Sequence, residues 1–332
     1  MHLKFCKTRQ ALAQSITATL IGVSMLLAGP VQANVVVVLN SRDATVSLLD
    51  QTTLKEVGTV PVGKEPHHLM ATPDNKSLIV ASSVGNKLYF LDPVTGQPQR
   101  TVDNIVDPYQ LAFSPDQTLF ATTALRLNRV DIYGYDGQNF VLKKRFPLPD
   151  TPSHLVFDAE GKWLFVTLQG NDKIAGINVQ TQDVVWQMNV GKQPAGITMT
   201  PDNKYLLVGI MGENYVDVID WRTQKSVKHI ETGNGAHNFR AMGDKRFVFV
   251  SNRVANTISK VDMQTLTKVE DYAVPGGPDC MEVSADHKQL WATSRWIKQV
   301  SIVDLTTGKL VNQAPVGRSP HGVYFFNRAA SQ

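Results

Sequence analysis

The stretch PHHLMATPDNKSLIVASSVGNKLYFLD, from Pro66 to Asp92, contains three short runs of the kind that form β-strands. The runs HLMAT and SLIVAS flank the tight polar turn PDNK, and KLYFLD follows a short loop that contains glycine and asparagine. Apolar and β-branched runs separated by turn residues indicate antiparallel strands rather than helices. The turn returns as TPDNK at residues 200–204, so the same hairpin is expected more than once.

This stretch belongs to a repeat that runs through the chain. Two markers recur every 42 residues, apart from one interval of 44 that both markers share. The first marker is the residue at the head of each unit: Pro66, Pro108, Pro152, Pro194, Ala236, Pro278 and Pro320. The second is a polar residue that ends the third strand and is expected to cap the next turn: Asp50, Asp92, Asp136, Asn178, Asp220, Asp262 and Asp304. Two markers in step indicate a repeat architecture.

Each unit contains four strand-like runs, which is the content of one blade of a β-propeller. The predicted fold class is all-β: a seven-bladed β-propeller of four-stranded antiparallel blades. The last head, Pro320, begins only one strand, HGVYFF, whereas NVVVVLN, TVSLLD and EVGTVPV follow residue 33. We therefore expect the C-terminal strand to pair with the N-terminal strands, which would close the ring and remove exposed sheet edges.

Residues 1–33 differ from the rest of the chain. Lys4, Lys7 and Arg9 precede an apolar run, and the segment ends in small residues at Val31 and Ala33. This pattern is typical of a secretory signal peptide. We predict cleavage after Ala33, a single propeller domain at residues 34–332 and a periplasmic location if the cell is Gram-negative. The alternative is an uncleaved membrane anchor.

The net charge limits the classes of binding partner, and the cysteine content limits the disulfides. The full chain carries a net charge of +4, and the segment 1–33 holds three basic residues and no acid, so the mature chain carries +1. A near-neutral chain argues against binding nucleic acid or an anionic membrane through a long-range field. Cys6 leaves with the signal, so Cys280 has no partner for an internal disulfide. A monomer is expected.

The repeat units resemble the YVTN-type propeller repeat of exported bacterial proteins. The residues that carry the resemblance are FVSNRVANTISKVD (Phe249–Asp262), VVLNSRDATVSLLD (Val37–Asp50) and the PDNK turns. The resemblance covers the whole mature chain and implies the fold. For function it implies only a mixed group of binding proteins and of proteins near quinone- or haem-dependent oxidations, because a fold does not determine a function.

Residues that depart from the repeat are the candidates for function. The position after each head should open the innermost strand at one mouth of the central channel. Around the ring, consecutive blades six, seven, one, two and three carry His237, Asp279, His321, His67 and Tyr109. Blades four and five carry only Ser153 and Ala195. We interpret the five-residue arc as a ligand-binding site, against the alternative of polar residues that line a water-filled funnel.

Three members of the arc, His67, His237 and His321, are candidate ligands of a transition metal, because imidazole suits zinc, copper, iron and nickel. The next position along the strand carries His68, His154, Asn238 and Cys280. Alternation along a strand predicts that these four side chains turn away from the arc. On the second-to-third-strand loops, Arg253 and Arg295 lie in blades six and seven and are candidates for holding an anion.

No motif for a nucleophile, a zinc protease or a haem attachment site occurs in the sequence. The favoured function is therefore a non-catalytic exported propeller that binds a small ligand, a metal or a protein partner at the histidine-bearing mouth. The alternative is a periplasmic enzyme or cofactor-handling protein, either lactonase-like or associated with quinone- or haem d1-type oxidation. The discriminating feature is whether His67, His237 or His321 is irreplaceable.

Overall fold

The computed structural model describes residues 35–330, which form 28 β-strands. The predicted signal peptide lies outside the described residues. No helix with the length and apolarity needed to cross a bilayer occurs between residues 35 and 330. In chain order the strands are β1 (Val35–Asn40), β2 (Thr45–Asp50), β3 (Glu56–Pro61), β4 (Pro66–Ala71), β5 (Leu78–Ser82), β6 (Lys87–Leu91), β7 (Pro98–Asp103), β8 (Leu111–Phe113), β9 (Leu119–Ala124), β10 (Arg129–Tyr135), β11 (Phe140–Pro147), β12 (Pro152–Phe157), β13 (Trp163–Leu168), β14 (Lys173–Asn178), β15 (Asp183–Asn189), β16 (Pro194–Met199), β17 (Tyr205–Ile210), β18 (Tyr215–Asp220), β19 (Lys225–Glu231), β20 (Ala236–Ala241), β21 (Phe247–Asn252), β22 (Thr257–Asp262), β23 (Thr267–Ala273), β24 (Pro278–Val283), β25 (Gln289–Ser294), β26 (Gln299–Asp304), β27 (Lys309–Pro315) and β28 (Pro320–Phe325).

The strands form seven four-stranded antiparallel sheets, which confirms the predicted seven-bladed propeller. Blade one has the order β28-β1-β2-β3, and each of the other blades uses four consecutive strands. The pairing of β28 with β1 runs from Val36 opposite Phe325 to Asn40 opposite Pro320. The innermost strands contact one another in ring order, including β24 with β28 and β28 with β4. The ring is thus closed as the sequence predicted.

The repeated turn residues act locally, as expected. Asn75 and Asn203 in the two TPDNK turns adopt the left-handed conformation, with φ of 54° and 58°. In the first turn Asp74 Oδ1 accepts hydrogen bonds from Lys76 N at 3.1 Å and Thr72 Oγ1 at 2.7 Å. The aspartate that ends the third strand also caps its turn: Asp50 Oδ1 accepts a bond from Thr53 N at 2.7 Å. The side chains of both turn types satisfy backbone donors that have no partner in the sheet.

A β-bulge near the head of the innermost strand positions the candidate site. In blade two, Pro66 pairs with Ser82 and Leu69 pairs with Val80, so three steps on β4 match two on β5. The same shift occurs in blades one, four, five, six and seven. In blade three, β8 begins only at Leu111. The extra residue interrupts strict alternation, so the two residues after the head can face the same side of the sheet.

Closure of the ring generates a prediction about two neighbouring phenylalanines. Phe325 on β28 is fully buried and packs with Trp291 at a ring-centroid distance of 5.5 Å, whereas Phe326 is 47% exposed. Phe325→Ala should reduce the free energy of unfolding by about 3–5 kcal/mol, because it leaves a cavity between blades seven and one. Phe326→Ala, the control, should change it by no more than about 0.5 kcal/mol. Urea unfolding followed by tryptophan fluorescence measures both, and equal effects would contradict the closure described.

Candidate functional site

Five histidines converge on the axis of the propeller at the head end of the innermost strands. They are His67, His68, His154, His237 and His321, and each is at most 9% exposed. The ring of His67 lies between those of His321 and Tyr109, with centroid distances of 3.8 Å to each. Closure of the ring therefore brings residues from blades one, two and three into direct contact although they are far apart in sequence.

The structure places the five residues of the predicted arc in one cluster. It contradicts the prediction that the side chains one position further along each strand turn away from the arc. His68 is in contact with His67, with their Nδ1 atoms 2.8 Å apart. His154 lies 5.2 Å from His68 and 5.3 Å from His237 between ring centroids, and so connects the two sides of the axis. The prediction from strand alternation is wrong for these side chains, because the β-bulge brings both positions to the channel. The sequence did carry a signal, since histidine recurs at this second position as well as at the first.

Asn238 and Cys280 occupy that second position in blades six and seven, and they also join the cluster. Asn238 Nδ2 lies 3.1 Å from Cys280 Sγ, and Cys280 Sγ lies 3.4 Å from His321 Nδ1. Blade five has Gly196 at this position. A β-carbon there would come within 2.1 Å of the His237 carbonyl oxygen, so glycine allows β16 and β20 to approach each other closely.

Asp279 anchors the side of the cluster that faces blades six and seven. Its carboxylate is fully buried and accepts hydrogen bonds at Oδ2 from Arg253 Nη2 at 2.6 Å and from Arg295 Nη1 at 3.0 Å. His237 Nδ1 lies 3.2 Å from Oδ1, without the alignment of a hydrogen bond. The two predicted anion-binding arginines thus contact a carboxylate of the chain itself. Both side chains stay partly exposed, Arg253 by 17% and Arg295 by 26%.

Burial determines the charge of the imidazoles. It lowers the pKa of His68 and of His237 to about 4, and it lowers the pKa of His67, His154 and His321 well below the ordinary value. Burial alone would raise the pKa of Asp279, but the Arg253 guanidinium holds it well below its usual range. At neutral pH the site therefore holds neutral imidazoles next to an ionised carboxylate.

The hydrogen bonds assign the tautomer of His68, and three ring nitrogens of the cluster have no partner within residues 35–330. His68 Nδ1 lies 2.7 Å from the carbonyl oxygen of Tyr109, which only accepts, so Nδ1 carries the proton and Nε2 carries a lone pair. Among residues 35–330, the Nε2 atoms of His68, His154 and His321 are buried without a hydrogen-bond partner. Buried polar atoms are normally paired, so three such nitrogens in one cluster are unusual and point to a ligand.

Two triads within the cluster have the spacing of metal-binding groups. The ligand atoms of His67, His68 and His321 lie within 4.8 Å of one another, and so do those of Asp279, Cys280 and His321. His321 belongs to both. Burial raises the pKa of the Cys280 thiol well above its ordinary value, so without a metal the thiol is protonated and is a poor nucleophile.

The sequence matches one protein family over residues 4–331, the YNCE-like β-propellers. The chain belongs to this family. Membership confirms that it is a β-propeller protein, while the more specific YVTN-type assignment stays a prediction. No curated protein matches the sequence.

Solved structures similar to this family member share its fold at low sequence identity. A functionally unknown protein from Desulfotomaculum acetoxidans has a TM-score of 0.74 and 15% identity, over 88% of this chain and 98% of its own. Dihydro-heme d1 dehydrogenase NirN, in complex with DHE, has a TM-score of 0.64 and 16% identity, over 88% and 75%. Kuenenia stuttgartiensis hydrazine synthase has 0.66 and 18%, over 80% and 96%. At these identities the likeness shows the fold alone.

The lowered histidine pKa values predict how stability depends on pH in metal-free protein. As the pH falls below 6.5, the unfolded state protonates His68 while the native state keeps it neutral. The free energy of unfolding is therefore unaffected by His68 above pH 6.5 and decreases as the pH falls towards 4. His68→Gln, which keeps a donor for the Tyr109 carbonyl, should reduce this loss by roughly 2 kcal/mol.

Urea unfolding at pH 7 and at about pH 4.5 measures the loss, and the difference between wild type and variant isolates His68 from the other titrating groups. Asp279 titrates below this window, because its pKa is lowered further. His229→Gln serves as a matched control, since the His229 side chain is 52% exposed. The same loss in His68→Gln as in wild type would show that His68 is not held neutral.

Proposed function

We propose that this exported propeller is a non-catalytic binding protein that holds one transition-metal ion in its buried histidine cluster. The observation that carries the proposal is the set of buried imidazole nitrogens at the propeller axis that have no hydrogen-bond partner among residues 35–330. Neutral imidazole is the form that coordinates a metal, and burial keeps these rings neutral at pH 7. The proposal includes the periplasmic location inferred from residues 1–33.

The donors indicate which metals suit the site. His67, His68 and His321 supply imidazole nitrogens, and Cys280 supplies sulfur next to His321. Nitrogen and sulfur donors together favour zinc and copper over magnesium and calcium. Coordination by Cys280 requires that the thiol lose its proton, so binding through sulfur would release a proton and become tighter as the pH rises.

Further contacts hold these donors in place. The Tyr109 carbonyl orients His68 through its Nδ1 proton, as outer-shell acceptors do for metal-binding histidines. Asp279, held by Arg253 and Arg295, lies 3.6 Å from His321 Nε2. The carboxylate supplies negative charge near a bound cation, while the two arginines fix its orientation.

Metal titration tests this proposal. Residues 34–332, purified without a histidine tag and treated with a chelator, should bind one equivalent of zinc in competition with a chromophoric chelator. His321→Ala should weaken binding by at least about 10- to 100-fold, because it removes the residue common to both triads. His229→Ala, the control on an exposed outer strand, should bind as wild type does.

A second variant guards against a folding defect. His67→Ala removes a donor that, among the described residues, forms no hydrogen bond or salt bridge with Asp279, Arg253 or Arg295. It should also weaken zinc binding while circular dichroism shows an intact propeller. Absence of stoichiometric zinc or copper binding in the wild type, or equal affinity in all folded variants, would refute the metal site.

The alternative is a cofactor-handling or hydrolytic enzyme. Two similar structures carry the names of enzymes, dihydro-heme d1 dehydrogenase and hydrazine synthase, but identities of 16% and 18% transfer only the fold. The protonated Cys280 thiol next to His321 lacks the thiolate form that a nucleophile needs. An activity that disappears in His67→Ala, His237→Ala and His321→Ala, without any loss of folding, would favour the enzyme.

A further inference from the structure

The central channel forms a cavity of about 800 Å³ on the opposite side of the histidine cluster from the head mouth. His68, Asn238 and Cys280 line its inner end, and the hairpin turns at Pro73, Pro115 and Pro201 line its outer end. This volume lies within the range of small-molecule sites in proteins. The cavity is therefore a second candidate site, which meets the histidine cluster at His68 and Cys280 and has its own side walls and its own opening.

The walls of the cavity are asymmetric. At the fourth position after each head, blades two, three and four present Met70, Ala112 and Val156. At the same position, blades six and seven present Arg240 and Glu282. One side of the channel is thus apolar and the other is charged. Methionine adds adaptability to the apolar side, because its thioether side chain fits ligands of different shape.

The charged side carries an excess of positive charge. Arg240 Nε donates to Glu282 Oε1 at 2.7 Å, and Arg240 Nη2 donates to the Ala329 carbonyl at 2.7 Å. Arg328 lies 3.7 Å from the same glutamate. Lys245 lines the opening and, among the described residues, makes no salt bridge. The other acidic lining residue, Asp158, lies in blade four, so the lining as a whole contains three cations and two carboxylates.

We propose that the channel binds an amphipathic organic anion, with an apolar chain or ring against blades two to four. Its carboxylate would lie towards Lys245 and Arg328 at the opening on the side of blades six and seven. The apolar wall removes the ligand's hydrocarbon from water, and the unbalanced cation favours a negative head group. This site does not depend on a metal in the histidine cluster.

Dodecanoate is the probe, with displacement of the fluorescent dye 1-anilinonaphthalene-8-sulfonate as the readout on folded residues 34–332. Ala112→Trp fills the channel from its apolar side and should weaken dodecanoate binding by about tenfold or more. Ala255→Trp makes the same change in a loop on the head face, and its affinity should equal that of the wild type. Melting temperatures establish that both variants are folded.

The head-group assignment has its own test. Lys245→Gln should weaken dodecanoate binding by about two- to fivefold but leave dodecanol binding unchanged, because only the anion interacts with the charge. Lys76→Gln, on an exposed turn of the same face, should have no effect. One equivalent of zinc should leave the dodecanoate affinity of the wild type unchanged, which separates this site from the metal site.

Three outcomes would overturn the inference: no saturable dodecanoate binding by the wild type, equal affinity in Ala112→Trp and Ala255→Trp, or equal loss of dodecanol and dodecanoate in Lys245→Gln. The first two would remove the channel site, and the third would remove the preference for an anion. None of them would bear on zinc binding by the histidine cluster.

Discussion

Pairing of β28 with β1 is the constraint on which the rest of the structure depends. The strand from the C-terminal end of the chain becomes the innermost strand of the blade that the N-terminal strands build. His321 on β28 thereby stands between Asp279 of blade seven and His67 of blade two. Without this closure the chain would have two open sheet edges, and the histidine cluster would be divided between the two ends of an open arc.

Because of the β-bulge, an innermost strand contributes two consecutive positions to the site instead of one. A regular strand would present one residue per blade to the axis near the head, and its neighbour would face the adjoining blade. The bulge instead adds the residue after it, so that His68, His154 and Cys280 lie against the first set. The cost is a set of buried polar atoms that have no hydrogen-bond partner in the part of the chain that the structure describes, and such atoms call for an explanation such as a bound ligand or ordered water.

The two sides of the propeller axis differ in charge. Asp279, Arg253 and Arg295 form an ionic group between blades six and seven at the head mouth, and Arg240 with Glu282 forms another on the same side of the channel. Blades two, three and four contribute mainly apolar groups along the channel. Truncating one partner of a buried pair leaves an uncompensated charge, so loss of Arg240 or of Glu282 alone would destabilise the contact between blades six and seven.

The period of 42 residues in the sequence was sufficient to predict seven blades, their strand order and the closing pair, because a repeated hairpin specifies its own local geometry. Ring symmetry also allowed His67, Tyr109, His237, Asp279 and His321 to be placed together. The sequence could not show that His68, His154 and Cys280 join them, because a bulge depends on pairing with the next strand. Nor could it show that Arg253 and Arg295 hold Asp279 or that the channel has one charged side. These contacts join residues of different blades, and only the packing of the closed ring brings them within reach.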